Sequence, residues 1–254
     1  MPQALHLIAL DDLPRVRPGD DVAGLLVAAL ERVARASDGD VVVVAQKIVS
    51  KAEGRYVDLA QIVPSPRARG LAAAVAKDPR LVEVILQESR RVVRHRPGVL
   101  IVEHRLGFVM ANAGIDRSNV DPEAGAEPVL LLPRDPDASA AALHARLTAH
   151  FGIRIGVIVS DSFGRAWRRG TVGIALGAAG LPAVVDLRGR PDLYGRTLQV
   201  SETGFADEIA AAASLLMGQA DEGVAAVLVR GLAWTAAPSP ALHLLRPADQ
   251  DLFR

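Results

Sequence analysis

The sequence predicts a mixed α+β fold, with mixed sheets, hairpins and packed helices. Two patterns carry that expectation. Apolar strands alternate with helical segments over much of the chain, and two further strands form a hairpin that a plain doubly wound sheet lacks. Size agrees, because 254 residues, half of them hydrophobic, can bury one large core. A single domain over residues 1–254 is expected. It should consist of two intimately connected subdomains, whose chain crossing falls near the Pro/Asp-rich segment Pro133–Asp137.

Taken in order, Leu5–Leu10 reads as a short strand. Asp20 or Asp21 caps a helix with Val22, Leu25, Leu26, Ala29, Leu30 and Val33 at helical spacing. Val41–Val44 is a β-branched run, hence a buried strand, and Gln46–Lys51 follows as a strand-end loop. Ser65-Pro66 is a cap with a first-turn proline, predicting a helix to about Ala76. Leu81–Glu88 is another short helix. Val99–Glu103 and Phe108–Ala111 form the hairpin around Arg105-Leu106-Gly107. A loop from Asn112 to Pro128 precedes a strand over Pro128–Leu132 and a helix over Asp137–His150. Ile155–Val159 is a strand ending in Ser160-Asp161-Ser162, and Ala183–Leu187 is another. Phe205–Met217 is an alanine-rich helix capped by Thr203, and Val224–Val229 is the last strand.

Composition excludes several classes. The 29 Lys and Arg balance 29 Asp and Glu, so no general field draws the chain to nucleic acid or anionic lipid. The arginine run Arg90–Arg96 lacks interleaved aromatics, so no nucleic-acid partner is expected. With no cysteine there is no disulfide, thiol nucleophile or thiolate metal site. A bound metal would need oxygen or histidine donors, which favours a hard ion such as Mg²⁺ or Mn²⁺. The longest uncharged stretch, Gly170–Val185, is 16 residues broken by four glycines and a proline. It is too short to span a bilayer. Without a signal-peptide pattern at Met1–Leu10, a cytoplasmic protein with no membrane partner is expected. Lysine is scarce: only Lys47, Lys51 and Lys77 occur, against 26 arginines.

Four segments carry chemistry. In the first, an apolar strand runs into Asp161, Ser162 and the arginines Arg165, Arg168 and Arg169. Asp161, at the ordinary carboxylate value near 4, is ionised at pH 7. With the Ser162 hydroxyl it can hold a divalent ion, while planar guanidiniums suit phosphate or carboxylate oxygens. The plain alternative is a strand-end turn with solvated arginines. The second segment, Asn112–Asn119, offers Asp116, which could share a cation with Asp161 if the two meet, although Asp and Asn are also ordinary turn residues. The third, Gln46–Arg55, places two of the three lysines within five residues, as point charges for phosphate. It is not a Walker A loop, since G-x-x-x-x-G-K-[ST] is absent. The fourth, Met217–Val224, reads first as a helix cap at Gly218 followed by a solvated turn. The histidines lack metal-binding spacing, and no G-x-S-x-G elbow occurs.

In order along the chain, these segments resemble the coenzyme F420-0:L-glutamate ligase family, the gamma-glutamyl ligases of deazaflavin coenzyme F420 biosynthesis. The matching stretches are Gln46–Gly54 ("KIVSKAEG"), Glu88-Ser89 through Arg94 to Pro97-Gly98-Val99, Gly107–Val120 ("GFVCANAGVDxSN"), Ser160–Gly170 ("SD(T/S)FGRxWRxG") and Met217-Gly218-Gln219 with Glu222-Gly223. The resemblance covers about residues 5–232.

The resemblance implies a GTP-dependent ligase that adds L-glutamate, successively and gamma-linked, to the lactyl-phosphate side chain of F420-0, releasing GDP and phosphate. It implies two divalent ions, Mn²⁺ or Mg²⁺, a monovalent cation such as K⁺, a homodimer, and a non-P-loop α+β fold. By motif, Asp116, Asp161, Ser162 and Gln219 would hold the metals and Asn119 would contact the nucleotide. Leu13, Pro14, Arg15, Val16, Gln46, Lys51 and the loop Met217, Gly218, Gln219, Ala220, Asp221, Glu222, Gly223 and Val224 would line the GTP pocket. Arg165 or Arg168 is expected to steady the transferring phosphoryl group, en route to an acyl phosphate that the glutamate amine attacks. Two other readings of the same residues are a metal-dependent nucleotide phosphohydrolase and a catalytically silent nucleotide-binding protein.

Overall fold

The computed structural model describes residues 4–252. Its first elements are β1 (His6–Ala9), α1 (Val22–Val33), β2 (Asp40–Ala45), α2 (Gln46–Ala52), β3 (Tyr56–Asp58), α3 (Pro66–Val75) and α4 (Pro79–Gln87). Next come β4 (Ser89–Arg96), β5 (Val99–His104), β6 (Val109–Ala111), β7 (Pro128–Leu130) and α5 (Pro136–Phe151). The chain ends with β8 (Ile155–Gly164), β9 (Thr171–Ala179), β10 (Val185–Asp186), β11 (Glu202–Thr203), α6 (Phe205–Met217) and β12 (Ala226–Arg230). The mixed α+β expectation holds.

The valines of β2 explain the centre of the molecule. All four are fully buried, because β2 lies in the middle of a five-stranded sheet, ordered β1-β12-β2-β8-β9 and covered on both faces. Val42 and Val44 face a core shared with Leu26, Leu30, Ile48, Leu143 and Leu147, so α1, α2 and α5 cover that side. Val41 and Val43 face Ala206, Ile209, Ala210 and Ala213 of α6. The pairing of β2 with β8 is parallel, and the other pairings in this sheet are antiparallel. A second region has its own core, in which Leu81, Val82 and Ile85 of α4 and Ala72 and Val75 of α3 pack on Leu100 and Val102 of β5.

Several boundaries differ from expectation for physical reasons. Gln46–Ala52 is a helix, not a loop, with Ile48 and Val49 buried beneath it. Strand β8 does not end at Val159 but continues to Gly164, because β9 pairs along its whole extension. Most of the uncharged stretch Gly170–Val185, to which the sequence assigned no element before Ala183, is β9. Its glycines are there for close approach: a Cβ at Gly173 would strike the Ala210 carbonyl of α6, and one at Gly177 the Pro136 carbonyl of α5. The arginine run is β4, a charged and bulged edge strand in the order β4-β5-β6. Helix α6 is capped at Gly204 rather than Thr203. The strand expected over Ala183–Leu187 pairs only at Val185–Asp186, while Ala183 is buried in the α6 core. Among the described residues, no helix is long and apolar enough to cross a membrane.

Candidate functional site

Parallel pairing brings the third and first chemical segments to the same end of the sheet. Ala45 lies opposite Ser160, so α2 starts where β8 enters Asp161. Strand β9 carries a bulge opposite Val159/Ser160: Val159 pairs with Gly177 and Ser160 with Ala175, leaving Leu176 unpaired. Leu176 instead packs with Phe163 and Phe108.

The second segment arrives through a left-handed turn. Asn112, Ala113 and Gly114 all have positive φ, of 52°, 54° and 66°. Asn and Gly accept that conformation readily, and Ala113 does so at a cost of roughly 1 kcal/mol. A Cβ at Gly114 would collide with Met110 and Leu132, so the turn is also tightly packed. The Asn112 Oδ1 atom is buried without a hydrogen-bond partner among the described residues. Beyond the turn, Asp116 exchanges two 2.9 Å backbone hydrogen bonds with Leu130, which pin it in place.

The carboxylate of Asp116 meets α2 directly. Gln46 Nε2 donates to its Oδ2 at 2.8 Å, and Lys47 Nζ lies 3.0 Å from the same oxygen. The buried Ser50 hydroxyl donates to Gln46 Oε1 at 2.8 Å, which orients the amide. Burial raises the pKa of Asp116, opposed by Lys47, Gln46 and Lys51.

Asp161 departs from its sequence expectation. Burial, and then the charge of Asp116, push its carboxyl up to about 7, with Lys47 and the Ser162 backbone opposing. It is therefore not simply ionised at neutral pH, because the two carboxylates share too little positive charge.

Lys51 sits one turn after Lys47 on α2. Burial lowers its pKa, against the raising effect of Asp121; Lys47 and Arg15 lower it further. Arg15 thus reaches the lysine pair, while Val16 is buried and Leu13 packs against the α1–α2 core. The fourth segment closes on the others. Asn119 Nδ2 donates to the Ala220 carbonyl at 3.0 Å, and Thr171 Oγ1 to Gln219 Oε1 at 3.3 Å. Glu222 accepts from Ala220 N at 2.8 Å and crowds Gly218, where any Cβ would meet its carboxylate. Gln219 to Gly223 are exposed.

Not every expected residue points inward. The Arg165 guanidinium donates to the carbonyls of Gly170 and Arg169 at 3.3 and 3.4 Å, and Arg168 is exposed. Lys47, read from the sequence as a phosphate charge, instead pairs with Asp116, and Asp121, which the sequence reading gave no role, acts on Lys51. The scarcity of lysine was the signal for Lys47; Asp121 lies in a polar loop without one.

A family model described as F420-0:Gamma-glutamyl ligase matches residues 12–231. The chain belongs to that family. A protein of Methanothermobacter thermautotrophicus named coenzyme F420:L-glutamate ligase is 48% identical over 253 residues, covering 98% of this chain and 99% of that protein. Proteins of the same name from Methanopyrus kandleri and Archaeoglobus fulgidus are 46% and 43% identical over 244 and 250 residues. They cover 94% and 98% of this chain, and 94% and 96% of their own lengths. In this F420-0:gamma-glutamyl ligase family member, the four motif segments thus converge at one end of the central sheet. Among the described residues, no group of three His, Cys, Asp or Glu side chains is placed to hold a metal. The oxygen donors on these segments are the Asp116 and Asp161 carboxylates, the Ser162 hydroxyl and the Gln219 amide, whose oxygen accepts from Thr171.

Proposed function

We propose that the chain is a GTP-dependent coenzyme F420-0:L-glutamate ligase. It adds L-glutamate to the lactyl-phosphate side chain and extends the tail through gamma-carboxylates. The observation that carries this reading is the Asp116–Asp161 pair beside Lys47 and Lys51, in a chain of this family. The acceptor carboxylate attacks the gamma-phosphorus, the bond to the bridging oxygen breaks, and GDP leaves. The glutamate amine then attacks the acyl carbon of the acyl phosphate; phosphate leaves and the amine proton passes to solvent.

Mn²⁺ or Mg²⁺ fits the donor set, which is all oxygen, and Asp116, Asp161, Ser162 and Gln219 would hold it. Bound there, divalent ions would neutralise phosphate charge; a monovalent ion such as K⁺ belongs to the same proposal. Lys47 balances Asp116 and keeps it oriented. Lys51 and Arg15 supply positive charge for the nucleotide, which Asn119, Gln46 and the Met217–Val224 loop would border with Leu13, Pro14 and Val16. Arg165 or Arg168 would swing toward the transferring phosphoryl. Replacing each with Ala in turn and recovering full turnover from both would remove that role.

A homodimer in the cytoplasm completes the reading. Its support is the arm between β10 and β11, where Leu193, Tyr194 and Val200 are 99, 91 and 85% exposed. Such apolar residues on a protruding arm suit a second copy of this chain.

One assay tests the reading. GTP and Mn²⁺ are supplied with and without F420-0 and L-glutamate, and products are read by mass spectrometry. Phosphate release that requires both acceptors, with mass added in glutamate units, is expected. Release without acceptors would instead mark a phosphohydrolase. GTP binding without turnover would mark a silent binder.

A further inference from the structure

A second polar cavity lies away from the paired aspartates. It measures about 410 Å³ and is lined by Arg55, Glu88, His104, Arg105, Leu106 and Arg134 among others. Four connections build it: the segment after α2, the α4–β4 junction, the β5–β6 turn and the β7–α5 link.

The charges in this cavity do not balance. Glu88, 7% exposed, meets Arg55 NH2 at 2.9 Å and Arg105 NH2 at 2.6 Å. One carboxylate therefore faces two guanidiniums, and Arg134 adds a third. The Arg134 backbone is tied down, its N–H donating to Glu53 Oε2 at 2.8 Å. Its exposed guanidinium makes no ion pair among the described residues.

The histidine supplies an independent sign. His104 is 2% exposed, and Leu106 N donates to its Nδ1 at 3.0 Å. That bond makes Nδ1 the acceptor and leaves the proton of the neutral ring on Nε2. Nε2 is buried with no hydrogen-bond partner, 3.6 Å from Glu88 Oε2. An ion cluster serving only to join elements would match its charges and satisfy its donors. This one keeps surplus guanidiniums in a concave space, beside a buried N–H that approaches Glu88 only to 3.6 Å.

We propose that this cavity binds a small oxyanion, a carboxylate or a phosphate. Guanidinium forks match the paired oxygens of either group. The location gives such a ligand a link to the aspartate pair. The β5–β6 turn ends in Phe108, whose ring meets Phe163 edge-to-face at 6.2 Å, and Phe163 lies two residues beyond Asp161 on β8. The assignment does not depend on GTP turnover.

Titration of the nucleotide-free full chain with L-glutamate, with inorganic phosphate and with chloride tests it, by calorimetry and by the NMR signals of the His104 ring. Saturable binding of L-glutamate or phosphate that moves the His104 signals is expected, with chloride inert. Glutamate alone would mark a carboxylate site, and phosphate alone a phosphate site. Arg134→Ala should weaken binding about tenfold, the loss of one charge-assisted hydrogen bond. Arg67→Ala, which removes the same charge from an exposed face of α3, should not. Binding that leaves His104 unmoved, equal affinity in Arg134→Ala, equal loss in Arg67→Ala, or no saturation by either probe would each overturn the proposal.

Discussion

Burial acts on Glu88 and Asp161 in the same direction, against the charged form. They end at opposite extremes. Glu88 is held down to about 2: burial pushes it up, but His104, Arg105 and Arg55 together outweigh that. Asp161 rises to about 7 because burial is reinforced by the charge of another carboxylate, Asp116, and Lys47 and the Ser162 backbone offset only part of that. The cations in reach, set against burial in each case, separate the two regions. The first is over-supplied with positive charge and suits an anion. The second is short of it and suits a cation.

The largest test of that contrast is Asp161→Asn. Glutamate addition should fall on the order of 10²–10³-fold, while the metal-free protein unfolds at the same or higher urea concentration. A matching loss of stability would make Asp161 a structural carboxylate like Glu88. The converse change, Glu88→Gln, should cost about 3 kcal/mol in urea unfolding, since it leaves a half-buried guanidinium unpaired. An unchanged midpoint would erase the distinction.

The two carboxyls should also give stability opposite pH limbs in metal-free protein. Asp161 is raised in the folded state, so its stabilising share is complete below its unfolded value of 3.8 and is lost as pH rises through about 7. Glu88 is depressed, so its share is complete above 4.5 and is lost as pH falls through about 2. Unfolding midpoints across pH should show Asp161→Asn flattening the neutral limb and Glu88→Gln flattening the acid limb. The smallest effect belongs to Lys51→Arg. A bulkier fork in a half-buried slot beside Lys47 and Arg15 should weaken GTP binding about tenfold, ~1.4 kcal/mol, by calorimetry. Unchanged affinity would make the retention of lysine there a matter of chance.

Local signals in the sequence were read well where one residue decides the backbone. Ser65 caps α3 by accepting from Ala68 N, with Pro66 in the first turn, as the dipeptide predicts. The run Val41–Val44 announced a strand buried on both faces. Strand β9 was hidden because its glycines answer to α5 and α6, which lie far off in sequence, and β4 because two of its arginines, Arg90 and Arg91, pair with Glu103 across the hairpin. Likewise, Asp116 and Asp161 were each legible as motif residues. No spacing rule brings them together, and none predicts that burial and mutual repulsion would lift Asp161. The Glu88 cluster was missed as a unit, since Arg55, Glu88 and Arg105 come from three separate segments. A lone acid ahead of an arginine run was its one visible trace.

The parallel seam between β2 and β8 has a further consequence, for the order of folding. Ser160 and Val44, which meet across it, are 116 residues apart. Helices such as α3 and α4 close over short stretches of chain and can form early. The seam must first bear the entropy of closing a loop of that length, and such pairings form slowly. The carboxylate pair depends on that seam, so in refolding, helical signal should return before any capacity to bind a divalent ion. Chemistry, in this chain, is a property of the finished fold and of no fragment that precedes it.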